Sequence, residues 1–180
     1  MTYIIAIAVS VLFLVADRFT KYLVESNMAL GESVPFIPGF MDFTFIHNEG
    51  GAWGILSGKT WLLVVFTAVV MVGCVIFLIK NGRKNPLMFW AVCLILSGGV
   101  GNMIDRIFND GKVIDFFRTL FIEYPIFNVA DIAVVIGTGL LILYFLLDLI
   151  KEQRAKKAEK AALPDCPDEE PCEVSEDCDE

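Results

Sequence analysis

Two aspartates carry the chemistry this sequence could perform. Asp115 sits in Val113-Ile114-Asp115-Phe116, and Asp131 closes Phe127-Asn128-Val129-Ala130-Asp131, both close to long apolar runs. Carboxylates beside membrane-grade apolar sequence are expensive to place, so such positions point to function before structure. Two carboxyls within hydrogen-bond distance do not comfortably both ionise; one proton is shared and their titrations split apart. The ionised member can draw a proton from water, while the protonated member polarises a carbonyl and later protonates a leaving amine. That is peptide-bond hydrolysis.

Other readings of the same residues stand beside this one. Asn128 and Asp131 have the i, i+3 spacing of a capping box, with Asp in place of the usual Glu. Asp115 alone reads as a solvated loop acid. Asn102, Asp105 and Arg106 stand at i, i+3 and i+4 and share a helix face, where Asp105 and Arg106 could form a plain interfacial ion pair. Asp17 and Lys21, at i and i+4, read as a structural pair bracing the first helix near the membrane surface. His47 is the only histidine, which argues against a His-containing triad or a zinc site and makes it a bystander. No G-x-S-x-G or S-x-x-K motif is present. Gly98-Gly99-Val100-Gly101 follows an apolar segment and not a strand, so it reads as a helix-packing surface, not a phosphate loop. No metal, cofactor or nucleic-acid partner is expected.

The elements that would hold these residues are membrane helices. The chain of 180 residues has 56% apolar content and a mean hydropathy of +0.65, too apolar for an ordinary soluble fold. Four runs account for the excess: Met1 to Ala16 continuing past Asp17 towards Val24, Thr60 to Ile79, Asn85 to Ile104, and Ile126 to Leu147. A hydrocarbon layer of ~30 Å needs about 20 helical residues, and only helices satisfy their own backbone there. The first run lacks a basic n-region and its pattern continues through Asp17 to Val24, so it is taken as an uncleaved helix and not a signal peptide. Lys80, Arg83 and Lys84 between the second and third runs, and Lys151 to Lys160 after the fourth, should be cytoplasmic. Both termini are then cytoplasmic, and 25–59 and 105–125 face the other side.

Within 25–59, Ser33 to Pro38 and Met41 to Ile46 read as two short strands about Pro38-Gly39. Asn48 to Leu56 follows as an interfacial helix or loop, with Trp53 at headgroup level. Lys112 to Phe117 is expected to be extended or irregular. The fold expected is an all-α membrane protein of four transmembrane helices with a small extracytoplasmic β-sheet. One membrane domain covers 1–160. The net charge of −8 misleads, because Asp165 to Glu180 holds nine acids and no base, leaving the rest at +1. Residues 161–180 read as a solvated, disordered acidic tail. Its Cys166, Cys172 and Cys178 lack zinc-site spacing, while Cys74 and Cys93 are small hydrophobes inside apolar runs.

Two rivals belong to other classes. One is a small proton-coupled transporter with Asp131 as proton carrier; its acids, however, lie towards one membrane face, and inverted repeats are not evident. The other is a scaffold whose polar residues only pack helices.

Five blocks in one order carry a resemblance: Asp17-Arg18-Phe19-Thr20-Lys21, Asn48-Glu49-Gly50-Gly51-Ala52-Trp53-Gly54, Gly98 to Arg106, Val113 to Phe116, and Phe127 to Asp131. Over about residues 3 to 150 the chain resembles bacterial lipoprotein signal peptidase, or signal peptidase II. The resemblance implies a four-helix membrane aspartic endopeptidase with an extracytoplasmic β-cradle. It would cut diacylglyceryl-modified prolipoproteins just before the lipid-bearing cysteine, in the bacterial cytoplasmic membrane. By the same resemblance Asp115 and Asp131 are the catalytic dyad. Asn48, Asn102, Arg106 and Asn128 line the site and orient substrate, Asp105 helps to hold it together, and Asp17, Lys21, Trp53 and Gly54 support it. Globomycin-type peptides are the implied inhibitors, and membrane lipid the surrounding partner. Trp53 stands where Phe is commoner in the family, and Val100 where Ala is commoner; the tail lies outside the pattern.

Overall fold

The structure is a computed structural model describing residues 1–51, 55, 58–82 and 84–162. Trp53, Gly54, Arg83 and the three tail cysteines lie outside the described residues. The four apolar runs form α1 (Thr2–Asn27), α2 (Thr60–Asn81), α3 (Pro86–Phe108) and α4 (Val129–Ala162). Each is long and apolar enough to cross a membrane. By contact, the chain divides into two units, Met1–Tyr144 and Phe145–Glu180. The second begins within α4. There its described side chains from Lys151 to Ala158 are exposed, with a Glu152–Lys156 pair at 2.8 Å one turn apart.

In the first unit α3 is the central helix. It buries Met88, Ala91, Val92, Leu94, Ser97, Gly98, Gly101 and Asp105, whereas no described residue of α2 is buried. Asn85 starts α3 by accepting a hydrogen bond from the Leu87 amide at 2.8 Å, with Pro86 at the first helical position. Both features suit a helix N-terminus, where the amides lack intrahelical partners.

Glycines set the approach to α3. A Cβ on Gly98 would collide with the Ala130 carbonyl of α4, and one on Gly101 would lie 2.7 Å from an Asp17 carboxylate oxygen of α1. The packing role read for Gly98 and Gly101 therefore has a definite geometry. Removing the side chain is what lets the backbone of α4 and a carboxylate of α1 touch α3.

Three antiparallel strands, β1 (Ser33–Ile37), β2 (Met41–Asn48) and β3 (Val113–Thr119), form one sheet in that order. The turn between the first two passes through Gly39 at φ +74°, a backbone state that favours glycine. After α3, Asp110 (φ +52°) and Gly111 (φ +84°) reverse the chain into β3, where the sequence led us to expect a turn. The segment read as extended or irregular is thus a full strand. Its Ile114 and Phe116 join Val24 of α1 and Phe45 of β2 in one buried cluster. That cluster fixes β3 against the C-terminal end of α1, and with it the place of Asp115.

Candidate active site

Asp115 and Asp131 reach the same place from different elements. Asp115 is in the middle of β3, paired in register with Ile46 of β2, and 2% exposed. Asp131 is in the first turn of α4. Both line one cavity of about 230 Å³, together with Asn48, Asn102 and Arg106. A larger groove of about 920 Å³ adjoins it, sharing Asn48 and Gly51, but lacks both aspartates. Only the smaller of these two spaces is lined by both carboxyls.

Amides surround the two carboxyls. The Asn48 side chain donates to Asp115 Oδ2 at 2.8 Å, and Asn128 Nδ2 donates to Asp115 Oδ1 at 2.6 Å. Asn102 Nδ2 donates to Asp131 Oδ1 at 2.8 Å, and the Asn128 backbone amide to Asp131 Oδ2 at 3.0 Å. Asn128 also donates to Asn102 Oδ1 at 3.0 Å, so a chain of amides links one carboxyl to the other. Asn48 holds its pose by accepting from the Gly50 amide at 2.9 Å.

The capping box exists as well. Asn128 Oδ1 accepts from the Asp131 amide at 3.0 Å while Asp131 accepts from the Asn128 amide. Capping and a place on the cavity are not alternatives here. The box holds Asp131 by Oδ2, leaving Oδ1 to Asn102.

Asp115 titrates far from a free carboxyl. Burial is the main cause, the neighbouring Asp131 charge adds to it, and the Asn48 and Asn128 donors only partly offset them; its pKa is pushed up to about 7. Arg106 presents its guanidinium to the cavity. Its Nη2 reaches the Gly50 carbonyl at 3.4 Å, while Nε is buried with no partner among the described residues.

Behind the cavity lies a second polar cluster. Asp17, Lys21 and Asp105 are each fully buried. The Lys21 ammonium is 2.9 Å from Asp17, 2.7 Å from Asp105 and 3.1 Å from Asn102 Oδ1. Arg18 pairs with Asp105 from the half-exposed side. Asp17 accepts from the Ala130 amide of α4 at 2.9 Å, and Asp105 from the Ile114 amide of β3 at 3.3 Å. Two bases therefore oppose two acids, and each acid also ties down the element carrying one of the cavity carboxyls.

The expected Asp17–Lys21 pair is present, but buried and facing the site. Asp105 does not pair with Arg106, as the local spacing suggested; it turns to Lys21 and Arg18 instead, because adjacent residues on a helix point about 100° apart. Arg18 was not singled out by sequence. Its one signal was its place between Asp17 and Lys21 in the C-terminal half of α1. His47 takes no part in the amide chain; its Nε2 is buried with no partner among the described residues, and its ring stands edge-on to Phe45.

The family model for signal peptidase (SPase) II matches residues 9–147. A lipoprotein signal peptidase of Brevibacillus brevis is 45% identical over 140 residues, covering 78% of this chain and 93% of its own. One from Halalkalibacterium halodurans is 40% identical over 162 residues, covering 89% and 98%. Among solved structures, a bacterial membrane enzyme determined by the in meso method at 2.3 Å resolution is similar with a TM-score of 0.76 and 38% identity, covering 80% of this chain and 88% of that one.

Proposed function

The chain belongs to the signal peptidase II family, and from that premise we propose that Asp115 and Asp131 use one water to cut diacylglyceryl-prolipoproteins before the lipid-bearing cysteine. Membership makes it an aspartic peptidase of lipoprotein signal peptides, with four helices able to span a bacterial membrane. The dyad and the position of the cut are our reading. The observation that carries it is two carboxyls on one small cavity, joined through amide donors, one of them with its pKa raised to about 7.

In this reading Asp131 is ionised, held by the Asn102 and Asn128 donors with Arg106 nearby. Asp115 holds the shared proton. Water loses a proton to Asp131 as its oxygen adds to the scissile carbonyl carbon, while Asp115 donates its proton to the carbonyl oxygen. When the C–N bond breaks, the proton on Asp131 passes to the amine nitrogen and a hydroxyl proton returns to Asp115. One water is consumed and both carboxyls regain their starting states. Arg106, which lines the cavity, is the guanidinium donor for a substrate carbonyl, and Asn48 keeps Asp115 turned to the same space.

By the positive-inside rule Lys80, Arg83 and Lys84 between α2 and α3, and the basic end of α4, favour the cytoplasmic side. The sheet and dyad then face outward, and both termini inward. A cysteine whose acyl chains stay in the bilayer would present its bond at that interface. Purified protein reconstituted with a diacylglyceryl-prolipoprotein is expected to yield one new N-terminus at the modified cysteine by mass spectrometry. The unmodified precursor should remain uncut, and a globomycin-type peptide should block the reaction. Ion or drug accumulation without proteolysis would overturn the reading in favour of a transporter.

A further inference from the structure

We propose that Lys21 is a positioning residue for hydrolysis, fixing which way round the Asn102 amide stands and so presenting an N–H donor to Asp131. This rests on the function proposed above and goes further, because it assigns work to a base that touches neither carboxyl of the dyad.

An ammonium has three donors and no acceptor. Lys21 is fully buried; its ammonium is ion-paired with Asp17 and Asp105 at 2.9 and 2.7 Å and donates a hydrogen bond to Asn102 Oδ1 at 3.1 Å. An asparagine amide has one accepting and one donating end of nearly equal size, so its orientation is decided by its neighbours. Lys21 accepts only the oxygen. The NH2 group of Asn102 must then face Asp131, where it donates at 2.8 Å. Reversed, the amide would set its oxygen against the Asp131 carboxyl and its NH2 against both the Lys21 ammonium and Asn128 Nδ2, losing all three hydrogen bonds.

The same oxygen also receives Asn128 Nδ2, whose amide bonds Asp115 Oδ1. Asn102 Oδ1 is therefore the junction of the two arms of the dyad, and Lys21 holds that junction from behind. Charge balance accounts for Lys21 beside Asp17 and Asp105 but not for its contact with Asn102. Arg18 already pairs with Asp105, and Asp17 has the Ala130 amide. Among the described residues no other charged donor reaches Asn102 Oδ1, so Lys21 is what resists a flip with a full charge.

Separating orientation from charge needs two variants of equal charge. Lys21→Met with Asp17→Asn removes one base and one acid and leaves Arg18 opposite Asp105; the new side-chain amide at position 17 can still accept from the Ala130 N–H. Lys21→Gln with Asp17→Asn has the same charge and a side chain of similar length, but restores one N–H donor at position 21. Both are made in the full chain, checked for thermal unfolding, and assayed on the diacylglyceryl-prolipoprotein. The Met form should lose about 10²-fold in kcat, the scale of a misoriented site, with KM within about threefold. The Gln form should recover about tenfold of that loss at the same unfolding temperature. Equal kcat in the two, or loss of the fold in either, overturns the proposal. If the unsubstituted chain fails to cleave at all, the hydrolase reading itself falls. Cleavage by the unsubstituted chain with equal Met and Gln variants removes this inference alone.

Discussion

Replacing Asp115 by Asn should abolish cleavage and, at alkaline pH, make the protein more stable. The buried carboxyl titrates near 7, against 3.8 for an unperturbed aspartate. Between those values the folded state keeps a proton that the unfolded state has released, so stability falls as pH rises, and the loss is complete once pH passes about 7. From pH 5 to pH 8 about two of those pH units are crossed, each worth about 1.4 kcal/mol, so the wild type gives up about 3 kcal/mol. Asparagine cannot ionise and escapes this loss. It has its own cost, since its NH2 must face the Asn48 or the Asn128 donor, at about 1–3 kcal/mol for a buried unsatisfied group. That cost does not depend on pH and cancels in the comparison. The variant's advantage in unfolding temperature should therefore grow by about 6–12 °C between pH 5 and pH 8. Thermal unfolding of both proteins in the same detergent at the two pH values measures it. An advantage that stays constant with pH would show that Asp115 titrates as an ordinary carboxyl, and the assignment of the shared proton would fail.

Other outcomes follow from the same geometry. The kcat of the wild type should fall about tenfold per unit as pH rises above about 7, because Asp115 must be protonated to act as the acid; a pH–rate profile flat to pH 9 would contradict this. Asp105→Asn leaves Arg18 without its acid and Lys21 with Asp17 alone, and should cost about 3–5 kcal/mol, read as a fall in unfolding temperature and in yield. Gly101→Ala places a methyl 2.7 Å from the Asp17 carboxylate and should cost about 1–3 kcal/mol, the usual scale of overpacking. Lys112→Ala breaks only the half-exposed pair with Glu49, so unfolding temperature and cleavage should both stay within error.

The helices were legible because lipid imposes a length and an apolarity that Thr60–Asn81 or Pro86–Phe108 cannot disguise. The hairpin of β1 and β2 was legible from Pro38-Gly39. Strand β3 was not, for a physical reason. Val113 to Phe116 are all buried, with α1 and α3 covering what the alternation rule would leave in water, so the period of two that marks a half-exposed strand is missing. The convergence of Asp115 and Asp131 followed from their places at the ends of neighbouring apolar runs. The cluster behind them was harder to read. Asp17 and Lys21 carry a local i, i+4 signal that looks complete in itself. Nothing in the spacing says that Lys21 also reaches Asp105, far along the chain, or that Arg18 joins it. Those contacts depend on Gly98 and Gly101 drawing the helices together, and on the turn at Asp110 and Gly111 that returns the chain to α1.

The most direct measurement is cleavage of a diacylglyceryl-prolipoprotein by the reconstituted protein carrying Asp115→Asn or Asp131→Asn, each first checked for a cooperative unfolding transition. We expect both variants to fold and neither to cut, with the precursor intact at times when the unsubstituted protein has consumed it. Wild-type turnover by either folded variant would contradict the two-carboxyl mechanism.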